Sequence, residues 1–298
     1  MAPIFIGGAE RSGTTFLGSL FGCVEGACVT EESGFKSDWQ FPQERDWPAF
    51  RDRVGRLWRF RNWNIGDISD LPPSSEREFL ETLVRRFAQR DVSYWVDHTP
   101  RNIADFDHLK QVFPEARFVN LIRDGRAVAA SMMPLEWGPN TPAACAHRWV
   151  RDVGTGLAAV HRHPDDVTTI YYEDLVLDPV KTMNRVFAFL DLEKRVDKVE
   201  DLISKAEFLP AYAAAGQHRD VGRPPNASSI DKWRERLTAK QIGEFEYVAG
   251  PLLRMLGYDL VGGTRRPTAA SRLRSAIYEL WRTHAVNPPR FRKLRGIT

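Results

Sequence analysis

A glycine-rich loop near the N-terminus has the residue types and the spacing of a phosphate-binding loop. Residues 8–15 read Gly-Ala-Glu-Arg-Ser-Gly-Thr-Thr, between an apolar run at 3–7 and apolar-periodic residues that begin at Phe16. A strand, a tight turn and a helix in this order direct backbone N–H groups at an anion, and Arg11 and Ser12 add side-chain donors. The loop therefore predicts a bound phosphate; the alternative is a glycine-rich turn made for packing alone.

The loop differs from a nucleoside-triphosphate site at one position. Thr14 stands where such a loop, G-x-x-x-x-G-K-[ST], has the lysine that reaches the β- and γ-phosphates. No apolar strand ends in a clear magnesium-binding aspartate, and no Cys/His cluster has zinc spacing. The pattern favours a phosphate held without a metal. A kinase or NTPase with a degenerate loop is the alternative.

A second anion site is predicted where a later strand ends. The apolar run 117–122 is followed by Arg123, and Ser131 comes eight residues later on a helix that begins near Gly125. An arginine at the carboxyl end of a parallel strand can fork onto a phosphate, and Ser131 lies within reach of the same edge. Two anion sites at this edge indicate one ligand with phosphates at both positions of a ribose.

Taken together, these motifs resemble those of one enzyme family. Residues 8–15 resemble the 5′-phosphosulfate loop of sulfotransferases that use 3′-phosphoadenosine 5′-phosphosulfate (PAPS). Arg123 with Ser131 is similar to their 3′-phosphate motif, and Tyr172, in Tyr-Glu-Asp-Leu, resembles the tyrosine near the adenine. Within the superfamily, the likeness is nearest to the tyrosylprotein and glycan sulfotransferase branch.

The resemblance implies an O-sulfotransferase (EC 2.8.2 type) that transfers a sulfuryl group from PAPS to an acceptor hydroxyl, releases PAP and needs no metal. The acceptor would be a glycan, a phenolic or tyrosyl group, or a small metabolite. The resemblance assigns donor binding to Arg11, Ser12, Gly13, Thr14, Thr15, Arg123, Ser131, Tyr172, Ser229 and Lys232. For Lys232, which resembles a loop that closes over the phosphosulfate, the alternative is an exposed helix N-terminus capped by Ser229. A catalytically decayed PAPS-binding scaffold is the remaining alternative for the whole chain.

Three side chains are expected to act on the transferred group: Arg11, Glu32 and His98. By resemblance to the tyrosylprotein branch, the second acid of Glu31-Glu32 is the general base, and burial beside a carboxylate would raise its pKa. His98 stands where family members usually have a lysine that relieves charge on the leaving oxygen, a role open to a protonated imidazole. The alternatives are two solvated acids in a turn and a structural histidine bonded to Asp97.

The elements that must position these residues alternate between strands and helices. Strands are predicted at 3–7, 94–97, 117–122 and 167–172, and helices at 75–90, 104–112, 125–133, 143–161, 179–191, 195–207 and 238–256. This alternation predicts a three-layer α/β/α fold with a central, mostly parallel sheet, like that of P-loop NTPases. We expect one domain over residues 1–262, followed by a basic, helical tail at 263–298.

Residues 35–70 are predicted to form an irregular insertion because they are rich in Trp, Arg and Pro and lack a clean period. The tryptophans are Trp39, Trp47, Trp58 and Trp63, and the interleaved arginines are Arg51, Arg53, Arg56, Arg59 and Arg61. Such a composition suits stacking on sugars or aryl groups and binding of anionic substituents. A local aromatic core is the alternative.

Composition and charge exclude several classes of protein. The 298 residues are 43% hydrophobic and 27% charged, as in ordinary globular proteins. Residues 263–298 carry nine Lys or Arg and one acid, a net charge of +8. Because the whole chain has a net charge of +3, the preceding residues have a net charge of −5, which disfavours a nucleic-acid partner. Without a long apolar run, a signal peptide or a disulfide framework, the chain is expected to be soluble and cytoplasmic. In the tail, Leu273, Ile277 and Leu280 or Trp281 have helical spacing, which suits a membrane surface, a dimer contact or the acceptor groove.

Overall fold

Five parallel strands form the central sheet of the protein. They are β1 (Ala2–Gly8), β2 (Ala27–Val29), β3 (Tyr94–Asp97), β4 (Arg117–Ile122) and β5 (Val167–Tyr171). Their spatial order is β2-β3-β1-β4-β5, and every neighbouring pair is parallel. β2 and β3 lie on one side of β1, and β4 and β5 lie on the other. The direction in which successive strands are added therefore reverses between β1 and β4. Ligands of open parallel sheets bind at the carboxyl ends of the strands at such a point.

The structure, a computed structural model, describes residues 1–37, 47–68, 70–71, 75–203 and 226–286. Helices in these ranges are α1 (Thr14–Ser19), α2 (Trp47–Gly55), α3 (Trp58–Asn62), α4 (Glu76–Ala88), α5 (Phe106–Val112), α6 (Gly125–Met132), α7 (Pro142–Arg162), α8 (Tyr172–Leu177), α9 (Pro179–Phe189), α10 (Val199–Ile203), α11 (Ser228–Asp231), α12 (Trp233–Arg236), α13 (Ala239–Met255) and α14 (Ala269–Trp281). Of the predicted helix 195–207, residues 204–207 lie outside the described residues. No described helix has the length and apolarity that a bilayer crossing requires.

Helices cover both faces of the sheet, which explains why its strands are continuous apolar runs. Along β1, Ile4 and Ile6 face a core built with α1, α8 and α9, whereas Phe5 faces a second core that includes Trp95 and Phe118. Because successive strand residues point to opposite faces, one strand supplies both cores. The predicted three-layer α/β/α fold with a parallel central sheet is therefore confirmed.

The insertion is more regular than its sequence suggested. Its described part forms α2 and α3, and five side chains from these helices and their flanks are almost fully buried: Phe50, Val54, Leu57, Phe60 and Trp63. They recur every three or four residues, so they lie on the inward face of a helical segment and join the core around Phe5. The intervening arginines obscured this period. Trp39 and the side chains of Trp47 and Trp58 lie outside the described residues.

Candidate active site

The glycine-rich loop connects β1 to α1 and has a strained backbone. Arg11 has a φ of 70° and Gly13 a φ of 105°, both in the left-handed region. The backbone N–H and the hydroxyl of Ser12 both donate to the carbonyl of Ala9, at 3.1 and 2.6 Å. A Cβ at position 13 would come within 2.8 Å of the Tyr172 ring. Glycine is therefore required at this position by both backbone conformation and space.

The second predicted anion site lies directly against this loop. Arg11 Nε donates to Ser131 Oγ at 3.2 Å, so the loop touches α6. Arg123, at the end of β4, donates from Nη1 to the Arg11 carbonyl at 3.4 Å and from Nη2 to the Ser229 carbonyl at 3.3 Å. Both of these bonds are long. The Nε atom of Arg123 is buried without a hydrogen-bond partner among the described residues, so the guanidinium group keeps donors for an anion.

Tyr172 lies between the two predicted anion sites. The Arg123 guanidinium carbon lies 4.0 Å from the centroid of the Tyr172 ring, a cation–π contact. The same ring packs against Gly13 of the loop, and the Tyr172 hydroxyl lies 3.1 Å from Ser229 Oγ. Ser229 belongs to α11, and Lys232 follows this helix directly. The structure thus brings together residues from four separate segments of the sequence.

Glu32, the expected base, follows β2 and is partly buried. Burial is the largest cause that raises the pKa of Glu32, to about 7, and three carboxylates add to the rise: Asp97, Glu10 and Glu31. The charge of Arg59 opposes it. A Cβ at Gly34 would lie 3.2 Å from the Arg59 side chain, which places this arginine of α3 over the segment after Glu32.

Arg11 connects the expected base to the loop. Burial lowers the pKa of Arg11 from its usual value; the charge of Glu32 opposes this shift and the charge of Arg123 adds to it. Arg11 therefore interacts electrostatically with both the carboxylate of Glu32 and the guanidinium group of Arg123. The carboxylate expected to act as the base thus lies near the loop that is expected to hold the donor, as do the guanidinium groups of Arg11 and Arg123.

The structure works against the expected role of His98. The residue is fully buried, and a Cβ at Gly18 of α1 would come within 2.9 Å of the imidazole ring. Burial is the main cause that lowers the pKa of His98 below its usual 6.5. The neutral imidazole therefore predominates at neutral pH, whereas relief of charge on a leaving oxygen requires the protonated form.

Sequence reasoning overlooked a buried ion pair beside Glu32. Lys36 Nζ lies 2.5 Å from Asp97 Oδ2, and it also donates to Ser33 Oγ and Asn102 Oδ1, both at 2.6 Å. Burial alone would raise the pKa of Asp97, but the ion pair with Lys36 overrides it and lowers the pKa to about 2. The pair fixes the segment that follows Glu32 to the end of β3. No motif around Lys36 signals this role.

Sequence reasoning also overlooked a buried cluster of charged residues around Arg126, beside the site. Arg126, in the first turn of α6, is 2% exposed and forms ion pairs with Asp124 at 2.8 Å and Glu246 at 2.6 Å. Its guanidinium carbon lies 4.3 Å from the Trp233 ring centroid. Trp233 directly follows Lys232, so this cluster connects the segment around Lys232 to α6 and α13. Among the described residues, no group of three or more His, Cys, Asp or Glu side chains is arranged to hold a metal ion.

Solved structures share this fold. The sulfotransferase domain from the curacin biosynthetic pathway superimposes with a TM-score of 0.59 at 19% identity, over 87% of this chain and 99% of the domain. The sulfotransferase domain of the Synechococcus PCC 7002 olefin synthase gives a TM-score of 0.57 at 21% identity, over 87% and 96%. At this level of identity, the agreement establishes the fold.

Sequence comparison establishes the family. The model of the sulfotransferase family matches residues 3–197. Protein-tyrosine sulfotransferase 1 of Danio rerio is 26% identical over 266 residues, which cover 87% of this chain and 73% of that protein. The human protein-tyrosine sulfotransferase 1 is 24% identical over 274 residues, with coverages of 87% and 70%. The resemblance read from the motifs is thereby confirmed, and the chain belongs to the sulfotransferase family of enzymes.

Proposed function

We propose that the protein transfers a sulfuryl group from PAPS to an acceptor hydroxyl of a glycan, a phenolic or tyrosyl group, or a small metabolite. The observation that carries this proposal is the contact between the two anion sites. Arg123 bonds to the loop at Arg11 and keeps a buried Nε–H without a partner among the described residues. Buried donors of this kind are costly unless a ligand satisfies them.

The residues present fit a nucleotide with two anionic ends. At one end, Arg11 and the backbone N–H groups at the start of α1 (Thr14–Ser19) bind the 5′-phosphosulfate. At the other end, Arg123 and Ser131 bind the 3′-phosphate. Tyr172 lines the ligand between these ends, because it contacts both Arg123 and Gly13 of the loop. Ser229 lies beside it, because it contacts Arg123 and the Tyr172 hydroxyl. Lys232 supplies a further positive charge from the segment that follows α11. The two predicted anion sites are thus the two ends of one proposed donor site.

Glu32 is the proposed general base. With a pKa near 7, a large fraction of its carboxylate is free to accept a proton at neutral pH. Glu32 takes the proton of the acceptor hydroxyl while the acceptor oxygen bonds to sulfur. The bond between sulfur and the 5′-phosphate oxygen breaks, and its electron pair stays on that oxygen. Arg11 and the loop amides offset the charge that develops there. We propose that His98, which is buried and has a lowered pKa, packs against α1 and takes no part in this step.

Calorimetry with adenosine 3′,5′-bisphosphate tests the donor site. The bisphosphate should bind in the presence of a metal chelator, and Arg123→Gln should weaken binding about 10- to 100-fold, because a charged hydrogen bond is worth about 1.5–3 kcal/mol. Arg101→Gln is the matched control, because Arg101 is 64% exposed and pairs with Asp105. Absence of bisphosphate binding would refute the proposal. Tight, magnesium-dependent ATP binding would favour the kinase alternative.

Turnover separates an enzyme from a decayed scaffold. The protein is incubated with PAPS and a panel of glycans, tyrosyl peptides and phenolic metabolites, and mass spectrometry detects the gain of one SO3. Glu32→Gln should lower kcat about 100- to 10,000-fold, as expected for loss of a general base, without weakening bisphosphate binding. Full turnover in Glu32→Gln would remove Glu32 as the base. A wild-type protein that binds the bisphosphate but sulfates nothing would be a scaffold.

A further inference from the structure

The C-terminal helix α14 contacts the rest of the protein through its polar side. Ser275 Oγ accepts from Thr141 at 3.2 Å, and Ser271 Oγ donates to Glu244 Oε2 at 2.9 Å. Tyr278 donates its hydroxyl to the carbonyl of Glu136 at 2.7 Å. Just past the helix, Arg282 donates to the carbonyl of Trp137 at 3.0 Å. The inward face of this helix is therefore held by hydrogen bonds rather than by apolar packing.

The opposite side of α14 carries the apolar residues. Leu273 is 62% exposed, Ile277 57%, Leu280 61% and Trp281 49%. Their spacing puts them on one face, since α-helical residues advance by about 100° each. No residue of α14 is buried. A surface helix of a soluble domain normally turns its apolar face towards the core. In α14 the apolar face points to solvent instead. An exposed apolar patch of this kind marks an interaction surface.

Positive charge surrounds this apolar stripe of Leu273, Ile277, Leu280 and Trp281. Arg272 and Arg274 are the immediate neighbours of Leu273, so they project on either side of the stripe, about 100° away from it. Both side chains are exposed. The segment 263–298 carries nine Lys or Arg and a single acid, Glu279, and that acid lies 2.5 Å from Arg282. The surface around the stripe is therefore cationic.

We propose that this apolar stripe docks onto an anionic lipid surface, with the axis of α14 parallel to the membrane plane. An apolar face flanked by arginines suits the boundary between acyl chains and headgroups, where the aliphatic stems stay in apolar surroundings and the guanidinium groups reach lipid phosphates. Each nearby basic residue adds attraction to anionic headgroups. The polar contacts of Ser271 and Tyr278 keep the helix attached to the body in this orientation.

A second copy of the chain fits the stripe less well. A two-fold contact between two α14 helices would bring the arginines of both copies together, with Glu279 already paired. Four side chains also present far less surface than the roughly 800 Å² per partner of a stable protein interface. Charge and area therefore both favour lipid over a dimer.

Flotation of the full chain with lipid vesicles tests the proposal. The protein should float with phosphatidylcholine vesicles that contain about one third phosphatidylserine, and about tenfold less with phosphatidylcholine alone. The triple variant Leu273→Ser/Ile277→Ser/Leu280→Ser should lose at least about 100-fold in vesicle affinity, because three buried apolar side chains are removed. Leu177→Ser is the matched control, since Leu177 is equally exposed, at 66%, on α8.

Two further measurements make the outcome decisive. Arg272→Gln/Arg274→Gln should weaken binding to the anionic vesicles about tenfold and reduce its salt dependence. Bisphosphate binding confirms that each variant is folded, so a defect at the stripe is distinguishable from a defect at the donor site. The proposal would be overturned if the triple variant still floated with the anionic vesicles as the wild type does. So would a wild-type dimer in light scattering that the triple variant loses, without any vesicle binding.

Discussion

The raised pKa of Glu32 predicts that a single proton controls both turnover and stability. With a pKa of about 7, the ionised fraction rises from about one tenth at pH 6 to about nine tenths at pH 8. The acid limb of kcat/KM should therefore rise about tenfold over this interval. Arg59→Gln should move the limb to higher pH, by about one unit or less, because the charge of Arg59 opposes the rise in the pKa of Glu32.

The same shift has an opposite consequence for stability. The pKa of Glu32 is raised from 4.5 to about 7 by folding, so between these values the folded protein holds a proton that the unfolded chain lacks. The stabilisation is present at low pH and is lost as the pH rises through about 7. A shift of this size corresponds to about 3 kcal/mol, which we lower to about 2 kcal/mol because Glu32 keeps contact with solvent.

Urea unfolding of the wild type and Glu32→Gln at two pH values measures this effect. At pH 8 the variant should be more stable by about 2 kcal/mol, whereas near pH 5 the two proteins should differ by less than about 1 kcal/mol. Glu25→Gln, at an exposed carboxyl group, should leave stability unchanged at both pH values. A Glu32→Gln variant that is no more stable than wild type at pH 8 would refute the argument, as would an acid limb of kcat/KM near pH 5.

Three further substitutions test the packing that supports the site. Gly18→Ala should lower the free energy of unfolding by about 1–3 kcal/mol, measured by urea denaturation, because the added methyl group would meet the buried His98 ring at 2.9 Å. Arg126→Met should cost about 3–5 kcal/mol in the same assay, because it leaves the carboxylate of Glu246 buried without its partner cation. Tyr172→Leu should weaken bisphosphate binding about tenfold in calorimetry, because it removes the ring beneath Arg123.

Matched variants separate these effects from general disturbance. Gly154→Ala, in the middle of α7 where a Cβ meets nothing within 4 Å, should be neutral or stabilising. Arg254→Met and Tyr247→Leu change exposed residues of α13 and should alter neither stability nor bisphosphate affinity by much. Equal losses in Gly18→Ala and Gly154→Ala would contradict the contact with His98. An Arg126→Met protein as stable as Arg254→Met, or undiminished affinity in Tyr172→Leu, would contradict the other two expectations.

The fold and the convergence of the proposed donor-site residues were predictable because their sequence signals are local. The apolar run of β1, the glycine-rich loop and the first apolar turn of α1 are contiguous in the chain, and Ser131 follows Arg123 by only eight residues. Parallel strands then bring their carboxyl ends to one edge without further information. The structure shows this convergence in the bond between Arg11 and Ser131, which lie 120 positions apart.

The surroundings of the proposed base, Glu32, were not predictable, because they depend on contacts between residues that are distant in the sequence. The partner of Lys36 lies 61 positions away in the chain, and Arg59 reaches the segment after Glu32 from the insertion. The protonation state of His98 follows from burial beneath α1, which residue type and spacing do not encode. The helices of the insertion escaped notice because interleaved arginines concealed the period of Phe50, Val54 and Phe60.

The Tyr172 ring packs against Gly13 on one side and Arg123 on another, so it separates the two sites that are proposed to bind the phosphates of the donor. This spacing of the two sites favours a ligand whose two charged ends are separated by one ribose. If the donor binds as proposed, a nucleotide with a single phosphate, or with both phosphates in a linear diphosphate, would occupy only one of the two phosphate sites at a time. Selection among the abundant adenine nucleotides of a cell would then rest on geometry rather than on recognition of the base.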